Sequence, residues 1–198
     1  MQPDWVWVKD RGRSGYNHVL NDSVRGVTKY IRSNLNNSEA TISDAITSFD
    51  SDGFTLGSDS SNGEHNISSQ TYVAWCWKAG NSSGSSNSDG SITSTVSANT
   101  TAGFSIVSWT GSGSAATIGH GLGATPKYII VKNRTDTVNW FLYNHSIITA
   151  GATNKQFMTL NESNALESNG SATTFTSVSS TTFGVGTDNI INGSSDNM

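Results

Sequence analysis

The chain has 198 residues, a formal net charge of −4 and 13% charged residues, so it lacks the basic surface expected of proteins that bind nucleic acid or anionic membranes. No apolar stretch approaches the roughly 20 residues of a membrane span, and the first four residues lack the regions of a signal peptide. Cys76 is the single cysteine, which excludes an intramolecular disulfide and a cysteine metal cluster. Its position between Trp75 and Trp77 predicts a buried apolar side chain.

Apolar residues that alternate with period two predict strands along the first part of the chain, with little helix. The predicted strands are residues 5–9, 18–20, 30–32, 54–56 and 72–77. In the first of them, Val6 and Val8 share one face and Trp5 and Trp7 share the other. Residues 34–47 are where a short helical turn is most expected.

A run of serine, glycine and asparagine at residues 81–90 is typical of a flexible linker. After it, the same alternation predicts strands within residues 91–96, 104–109, 116–123, 128–132, 140–143, 157–160 and 182–185. The predicted domains are therefore residues 1–80, a linker at 81–90, and residues 91–198.

The two predicted domains contain the same passage. Residues 3–11, PDWVWVKDR, recur as residues 126–134, PKYIIVKNR, and without a gap Leu20 falls on Tyr143. Residues 29–31 then fall on 155–157, and residues 54–59 fall on 183–188. The pattern predicts an all-β protein of two related β-sandwich (jelly-roll-like) modules.

Each copy lacks a part that the other has. The first copy has no counterpart of the strands in residues 91–123, and the second copy stops at Met198, where the equivalent of Tyr72 falls. We therefore expect the strands at 128–131 and 183–185 to have open edges, completed by a neighbouring subunit or by further chain.

Several longer motifs resemble a repeat domain of large virion proteins from marine bacteriophages, which are usually labelled tail fibre or structural proteins. The motifs are DSVRG at residues 22–26, SFDSDGFTLG at 48–57, YVAWCWK at 72–78, and FSIV, GHGLG, TP and VKNR within 104–134. The resemblance covers nearly the whole chain and brings no catalytic residues with it. It implies a location on the virion surface, assembly with other virion subunits, and a homo-oligomer.

The six tryptophans leave two interpretations open. Aromatic residues that alternate on strands are typical of a sandwich core, whereas an exposed aromatic ring in a fibre protein stacks on sugar rings of a host-surface glycan. Trp140 and Tyr143, beside Asn139 and Asn144, are the best candidates for such an exposed ligand-binding group.

No metal, cofactor or catalytic group is predicted. The sequence Asp50-Ser51-Asp52-Gly53 resembles the start of a calcium loop, but the equivalent positions of the second copy are Ser179 and Thr181, so a turn is the favoured interpretation. The histidines, His18, His65, His120 and His145, are too far apart to suggest a zinc site. His120, between two glycines, is expected to stabilise a turn.

A pair of basic residues recurs in both copies, at Lys9 and Arg11 and at Lys132 and Arg134. These residues either pair with carboxylates at the rim of a module or make the contact between the copies; a ligand-binding role is the third alternative.

The function predicted from these observations is a non-enzymatic structural module of a phage tail fibre or appendage, with host-surface or glycan contact. The alternatives are a capsid-surface decoration or assembly protein and a carbohydrate-processing enzyme. An exposed aromatic groove would favour binding and a large flat apolar interface would favour assembly, whereas two facing carboxylates in a cleft would favour the enzyme.

Overall fold

A computed structural model describes residues 1–152, 156–167 and 174–198, which form sixteen strands and one short helix. The prediction of an all-β protein is confirmed. The first seven strands are β1 (Trp5–Asp10), β2 (His18–Asp22), β3 (Lys29–Arg32), β4 (Ala40–Thr41), β5 (Ile46–Asp50), β6 (Gly53–Leu56) and β7 (Tyr72–Trp77). The segment 34–47, expected to form a helical turn, contains β4 and the start of β5 instead.

The remaining elements lie after residue 84. They are β8 (Ser85–Asn87), β9 (Ser94–Asn99), β10 (Phe104–Ser108), β11 (Ala116–Gly119), β12 (Tyr128–Val131), β13 (Phe141–Asn144), β14 (Met158–Thr159), β15 (Phe175–Val178), β16 (Thr182–Val185) and α1 (Asn189–Asn192). The helix has an N-cap, because the Asp188 side chain accepts a hydrogen bond from the Ile190 amide at 2.9 Å.

The first half of the chain forms a five-stranded sheet in the order β4-β3-β2-β1-β7. Val6 and Val8 face a buried core that also contains Val19 and Tyr30, and the β5–β6 hairpin contributes Ile46 to it. The opposite face carries Trp5, Trp7, Leu20 and Ile31. The predicted alternation of β1 is thus confirmed, with each face covered by a different part of the protein.

The largest core lies in the second half and is shared by two three-stranded sheets, β12-β13-β14 and β11-β16-β15. Its buried members include Val131, Phe141, Ile118 and Phe183. A third sheet, in the order β10-β9-β8, runs alongside.

The hairpins β5–β6 and β15–β16 have the same pairing. Phe54 lies opposite Phe49 in the first hairpin, and Phe183 lies opposite Val178 in the second. Both hairpins also have an irregularity in the same place. The pairing register shifts between Ile46 and Ser48, just before Phe49, and between Phe175 and Ser177, just before Val178. The match of residues 54–59 with 183–188 therefore holds at the level of strand pairing.

The gapless match that precedes it is wrong by one residue. Leu20 lies opposite Trp7, whereas Leu142, and not Tyr143, lies opposite Ile130. The chain between the two paired strands is one residue shorter in the second half, so Leu20 corresponds to Leu142. The predicted match of 29–31 with 155–157 begins at a position outside the described residues.

A third apolar cluster joins the two halves. It contains Leu20 and Ile31 from the first half and Trp140 from the second, with Trp5, Trp7, Ile130 and Leu160 packed against it. The Trp140 indole Nε1 donates to the carbonyl oxygens of Arg32 and Leu35, both at 3.0 Å. Apolar burial and a shared donor therefore hold the halves together.

The segment 81–90, predicted to be a flexible linker, is in part a strand, since β8 pairs with β9. The chain at the start of this segment is held by Asp4, whose buried carboxylate accepts from the amides of Ala79 and Asn81 at 2.8 and 3.0 Å. The same carboxylate accepts from the Ser23 hydroxyl at 2.9 Å. The connection between the halves is thus tied to the first sheet.

Candidate functional site

An open groove of about 670 Å³ separates β10 from β12. Among the described residues, β10 pairs only with β9 and β12 only with β13, so each strand has one open edge, and both open edges line the groove. We call this feature the edge groove. Its volume lies within the range of about 300–1,000 Å³ that is typical of ligand sites.

The walls of the edge groove are apolar and aromatic. Phe104 and Ile106 line it from β10, and Tyr128 and Ile130 line it from β12. The cluster between the halves contributes Trp5 and Trp7, and β7 contributes Trp77. The ring of Phe104 stacks on that of Trp5, with 5.5 Å between the ring centroids. Tyr128 is 53% exposed, so its ring is accessible at the groove.

One end of the edge groove is closed by Asn197 and Met198. The Met198 amide donates to the Trp109 carbonyl at 2.9 Å, while the Asn197 carbonyl accepts from the Arg134 amide at 2.8 Å. The pair therefore bridges the continuations of β10 and β12. A single extended chain is wide enough to span the gap at this end.

The family comparison supplies an assignment for the whole chain. A family model described as "Domain of unknown function (DUF7483)" matches residues 1–198. The chain belongs to this family. No curated protein and no solved structure matches it.

Basic residues at the groove end of the DUF7483 chain connect its two halves. The Glu39 carboxylate accepts from Arg25 at 3.2 Å and from Arg134 at 3.1 Å. The buried Lys132 ammonium lies within hydrogen-bonding distance of four carbonyl oxygens, of which that of Asn36 belongs to the first half. Two of the three roles considered for the recurring basic pair therefore occur in the second copy. Arg134 pairs with a carboxylate, and both Arg134 and Lys132 contact the first half.

Burial shifts the pKa of Lys132. Burial lowers the pKa of its ammonium to about 8, and the nearby Asp136 acts in the opposite direction. The four carbonyl acceptors lie 2.7–3.2 Å from Nζ. These acceptors favour the protonated form, so Lys132 serves as a donor that ties loops together rather than as a free charge.

The structure does not place the predicted ligand-binding residues in an exposed group. Trp140 and Tyr143 are buried, with 4% and 2% exposure, so the expectation of exposed rings is wrong. Asn139 bonds to Glu162 and Asn161. Asn144 accepts from the Ser146 amide at 3.0 Å. Trp140 instead packs between the halves, because the sheet face that carries Leu20 covers it.

Exposed aromatic and thiol groups occur on β7 instead. Trp75 is 44% exposed, and Cys76 is exposed rather than buried as predicted. Partial burial raises the pKa of the Cys76 thiol. Among the described residues β7 pairs only with β1, which leaves its outer edge and these side chains open.

Asp50 stabilises the β5–β6 turn, which is the interpretation the sequence favours. Its carboxylate accepts from the hydroxyls of Ser48 and Thr55 at 2.8 and 2.7 Å. The hydrogen bond from Thr55, followed by that from Ser48, lowers its pKa. Over residues 1–152, 156–167 and 174–198 there is no group of three metal-ligating side chains, and no helix is long and apolar enough to cross a membrane.

His120 has the predicted role in a turn. It is 2% exposed, its Nδ1 accepts from the Leu122 amide at 3.2 Å, and its Nε2 lies 3.3 Å from the Ser179 carbonyl. Burial lowers its pKa, partly offset by the Ser179 carbonyl and by Asp89. The ring therefore stabilises the loop between β11 and β12.

A second buried histidine forms an acid–histidine pair. His65 lies 3.4 Å from the Asp59 carboxylate, and its Nε2 lies 3.0 Å from Asn21 Oδ1. Burial raises the pKa of Asp59, but its contact with the His65 side chain and its hydrogen bond from the His65 amide lower the pKa by more, so the net shift is downward. Both side chains are fully enclosed, which indicates a structural contact.

Sequence reasoning predicted the open edge of β12 but did not place β10 on the other side of the groove. The open edge expected at 183–185 is wrong, because β16 pairs with both β11 and β15. The groove forms only when strands distant in sequence come together, and nothing within β10 or β12 specifies which edge remains open. The signal that pointed toward it was the equivalence of Met198 with Tyr72. The structure agrees with that signal, because the hydrogen bond between Arg134 and Asn197 corresponds to the 2.7 Å bond between Arg11 and Thr71.

Proposed function

We propose that this DUF7483 chain is a non-catalytic structural module of a bacteriophage virion protein, located in a fibre or other surface appendage. It assembles with neighbouring virion subunits through strand edges. Its two halves are related sandwich-type modules that pack against each other.

The observation that carries the proposal is the edge groove. Two open strand edges present unpaired backbone donors and acceptors on either side of an apolar floor, and such edges pair readily with a strand from another polypeptide. Enzymes that cleave sugars need two carboxylates across a cleft. The described side chains that line this groove are instead mostly apolar, with Asp22 as the acidic one among them.

The relation between the modules is supported by pairing geometry. The β5–β6 and β15–β16 hairpins share register and irregularity, and β1 and β12 direct equivalent residues, Val8 and Val131, into their own cores. A shift of one residue would reverse the faces, so this agreement supports a common backbone.

A glycan contact is the second candidate, and a different observation favours it. Tyr128 and Trp75 are large aromatic side chains that are about half exposed. An exposed ring offers a face for stacking on a sugar, and the role predicted for Trp140 would pass to these two residues.

The test is to locate the chain in purified particles. Antibodies raised against the folded chain should label tails or fibres in electron micrographs of virions from the source phage. The free chain should show no glycoside hydrolase activity on host surface polysaccharide. Labelling confined to the capsid shell, or absence from particles, would refute the appendage role.

A further inference from the structure

At the Asn197–Met198 end, the edge groove is one antiparallel strand wide, with hydrogen bonds to both of its sides. The bridge between Thr110 and Asn197 is antiparallel, and so is the equivalent pairing of β1 with β7. Met198 therefore leads into the groove antiparallel to both β10 and β12. A strand of five residues that runs in this direction would lie side by side with both β10 and β12.

The register of a bound strand against β10 agrees with its register against β12. Groove positions 1 to 5, counted from Met198, fall opposite Ser108, Val107, Ile106, Ser105 and Phe104 on β10, and opposite Lys132, Val131, Ile130, Ile129 and Tyr128 on β12. At position 2 the neighbours are Val107 and Val131, which both contact the core of the second half. At position 3 the neighbour Ile130 packs on the cluster between the halves. Alternate positions therefore face alternate clusters on both sides.

The hydrogen bonds alternate as well. Trp109 and Arg134 already bond to the Asn197–Met198 pair. Since the groups of one residue in a strand point to the same side, positions 1, 3 and 5 would bond to β12 and positions 2 and 4 to β10. A strand in the groove would have no unbonded backbone edge.

The pairing of β7 with β1 shows which side chains fit. Ala74 lies opposite Val8 and Cys76 opposite Val6, on the core side. Trp75 and Trp77 lie opposite Trp7 and Trp5, on the other side. Val131 and Ile129 take the places of Val8 and Val6 in the groove, so small residues fit at positions 2 and 4. The aromatic wall formed by Trp5 and Trp7 suits large rings at positions 3 and 5.

We infer that the edge groove accepts a five-residue antiparallel strand donated by a partner polypeptide, with small residues at positions 2 and 4 and aromatic residues at positions 3 and 5. This inference rests on the proposed assembly function and names the chemistry of the partner. The residues 73–77 of the chain itself have the required pattern.

The probe is a labelled hexapeptide, Val-Ala-Trp-Ser-Trp-Lys, which is the sequence of residues 73–78 with serine in place of the cysteine to prevent oxidation. Binding to the full 198-residue chain is measured by fluorescence anisotropy. The matched control, Val-Ala-Trp-Trp-Ser-Lys, has the same composition but adjacent aromatic residues. We expect saturable binding of the probe and at least roughly tenfold weaker binding of the control, because adjacent residues of a strand face opposite sides and every register points one ring at the core side.

N-methylation of the peptide backbone tests whether the bound peptide forms hydrogen bonds with both β10 and β12 or with only one of them. N-methylation at position 3 removes a bond to β12, and N-methylation at position 4 removes a bond to β10. We expect each to weaken binding about fivefold, the effect of one hydrogen bond. Sensitivity at only one of the two positions would overturn the inference.

Protein variants provide the complementary test. Ser105→Pro removes the amide that faces position 4, and Ser105→Ala keeps it; proline is tolerated on an open edge. The comparison requires that the melting temperatures of the two variants agree within a few degrees. Under this condition, only the proline variant should lose affinity for the peptide. Equal affinity of both variants, or dimers of the chain that exclude the peptide, would contradict the inference.

The outcomes distinguish the two proposals. If the chain is found in fibres but the peptide does not bind, the strand-acceptor inference fails and the virion function stands. If the peptide binds with the expected pattern but the chain is absent from particles, the inference stands and the virion function fails.

Discussion

Replacing Trp140 with phenylalanine should weaken the contact between the halves. The indole N–H of Trp140 is shared by two carbonyl oxygens at 3.0 Å, and the ring is 4% exposed. Loss of the donor removes its hydrogen bonds to two partly buried carbonyls, each of which contributes about 0.5–1.5 kcal/mol, or about 1–3 kcal/mol together, and the smaller ring leaves a cavity that costs about 1 kcal/mol more. We therefore expect a total loss of about 2–4 kcal/mol.

The measurement is urea unfolding followed by circular dichroism, with melting curves in parallel. For a chain of this length the expected fall in melting temperature is about 4–16 °C. The matched control is Trp75→Phe, since Trp75 is 44% exposed, and a surface substitution of this kind changes stability by about 0.5 kcal/mol or less. Equal losses in the two variants would refute the assignment of Trp140 to the interface between the halves.

Three other predictions concern the turns and the buried acid. Gly57→Ala should destabilise the protein by about 1–3 kcal/mol in urea unfolding, because its new methyl group would overlap a backbone carbonyl; Gly53→Ala, in open space, should be nearly neutral. The lowered pKa of Asp59 contributes stability that is present above the unfolded-state value of 3.8 and is lost as pH falls through the lower folded value. The urea midpoint should therefore fall as the pH is lowered below about 4. Asp59→Asn should be less stable at pH 7, and its urea midpoint should depend less on pH in the acid range; an unchanged pH dependence would contradict this. Asp50→Ala should lower the melting temperature more than Asp52→Ala, and calcium should leave the melting temperature of the unmodified chain unchanged in calorimetry; a calcium-dependent rise of several degrees would show a metal site instead of a turn.

Most of the strands could be predicted from the sequence because their signal is local, although β4, β5, β8 and β15 were not predicted. The alternation at β1 and the apolar run at β7 each specify a strand without reference to the rest of the chain, and the bounds predicted for Tyr72–Trp77 match the structure. The Asp52-Gly53 dipeptide likewise marks the β5–β6 turn. The short helix α1 was not predicted, although Asp188 before it is a recognisable N-cap residue.

The candidate site could not be predicted because exposure is decided by distant contacts. Alternation assigns Trp140 and Trp75 to strand faces, but it does not say which face another sheet will cover. In the structure the first half covers Trp140 and leaves Trp75 open. The error in matching Leu20 to Tyr143 has a similar origin, since a turn shortened by one residue is visible only in the pairing of the strands.

The anchoring of the connection by Asp4 affects how the protein unfolds. Its carboxylate binds the start of the segment between the halves and the loop after β2 at the same time. With the shared apolar cluster, this leaves neither half able to melt without disturbing the contacts of the other. We expect a single cooperative heat-absorption peak, with calorimetric and van't Hoff enthalpies in agreement, whereas freely tethered halves would melt in two separate steps.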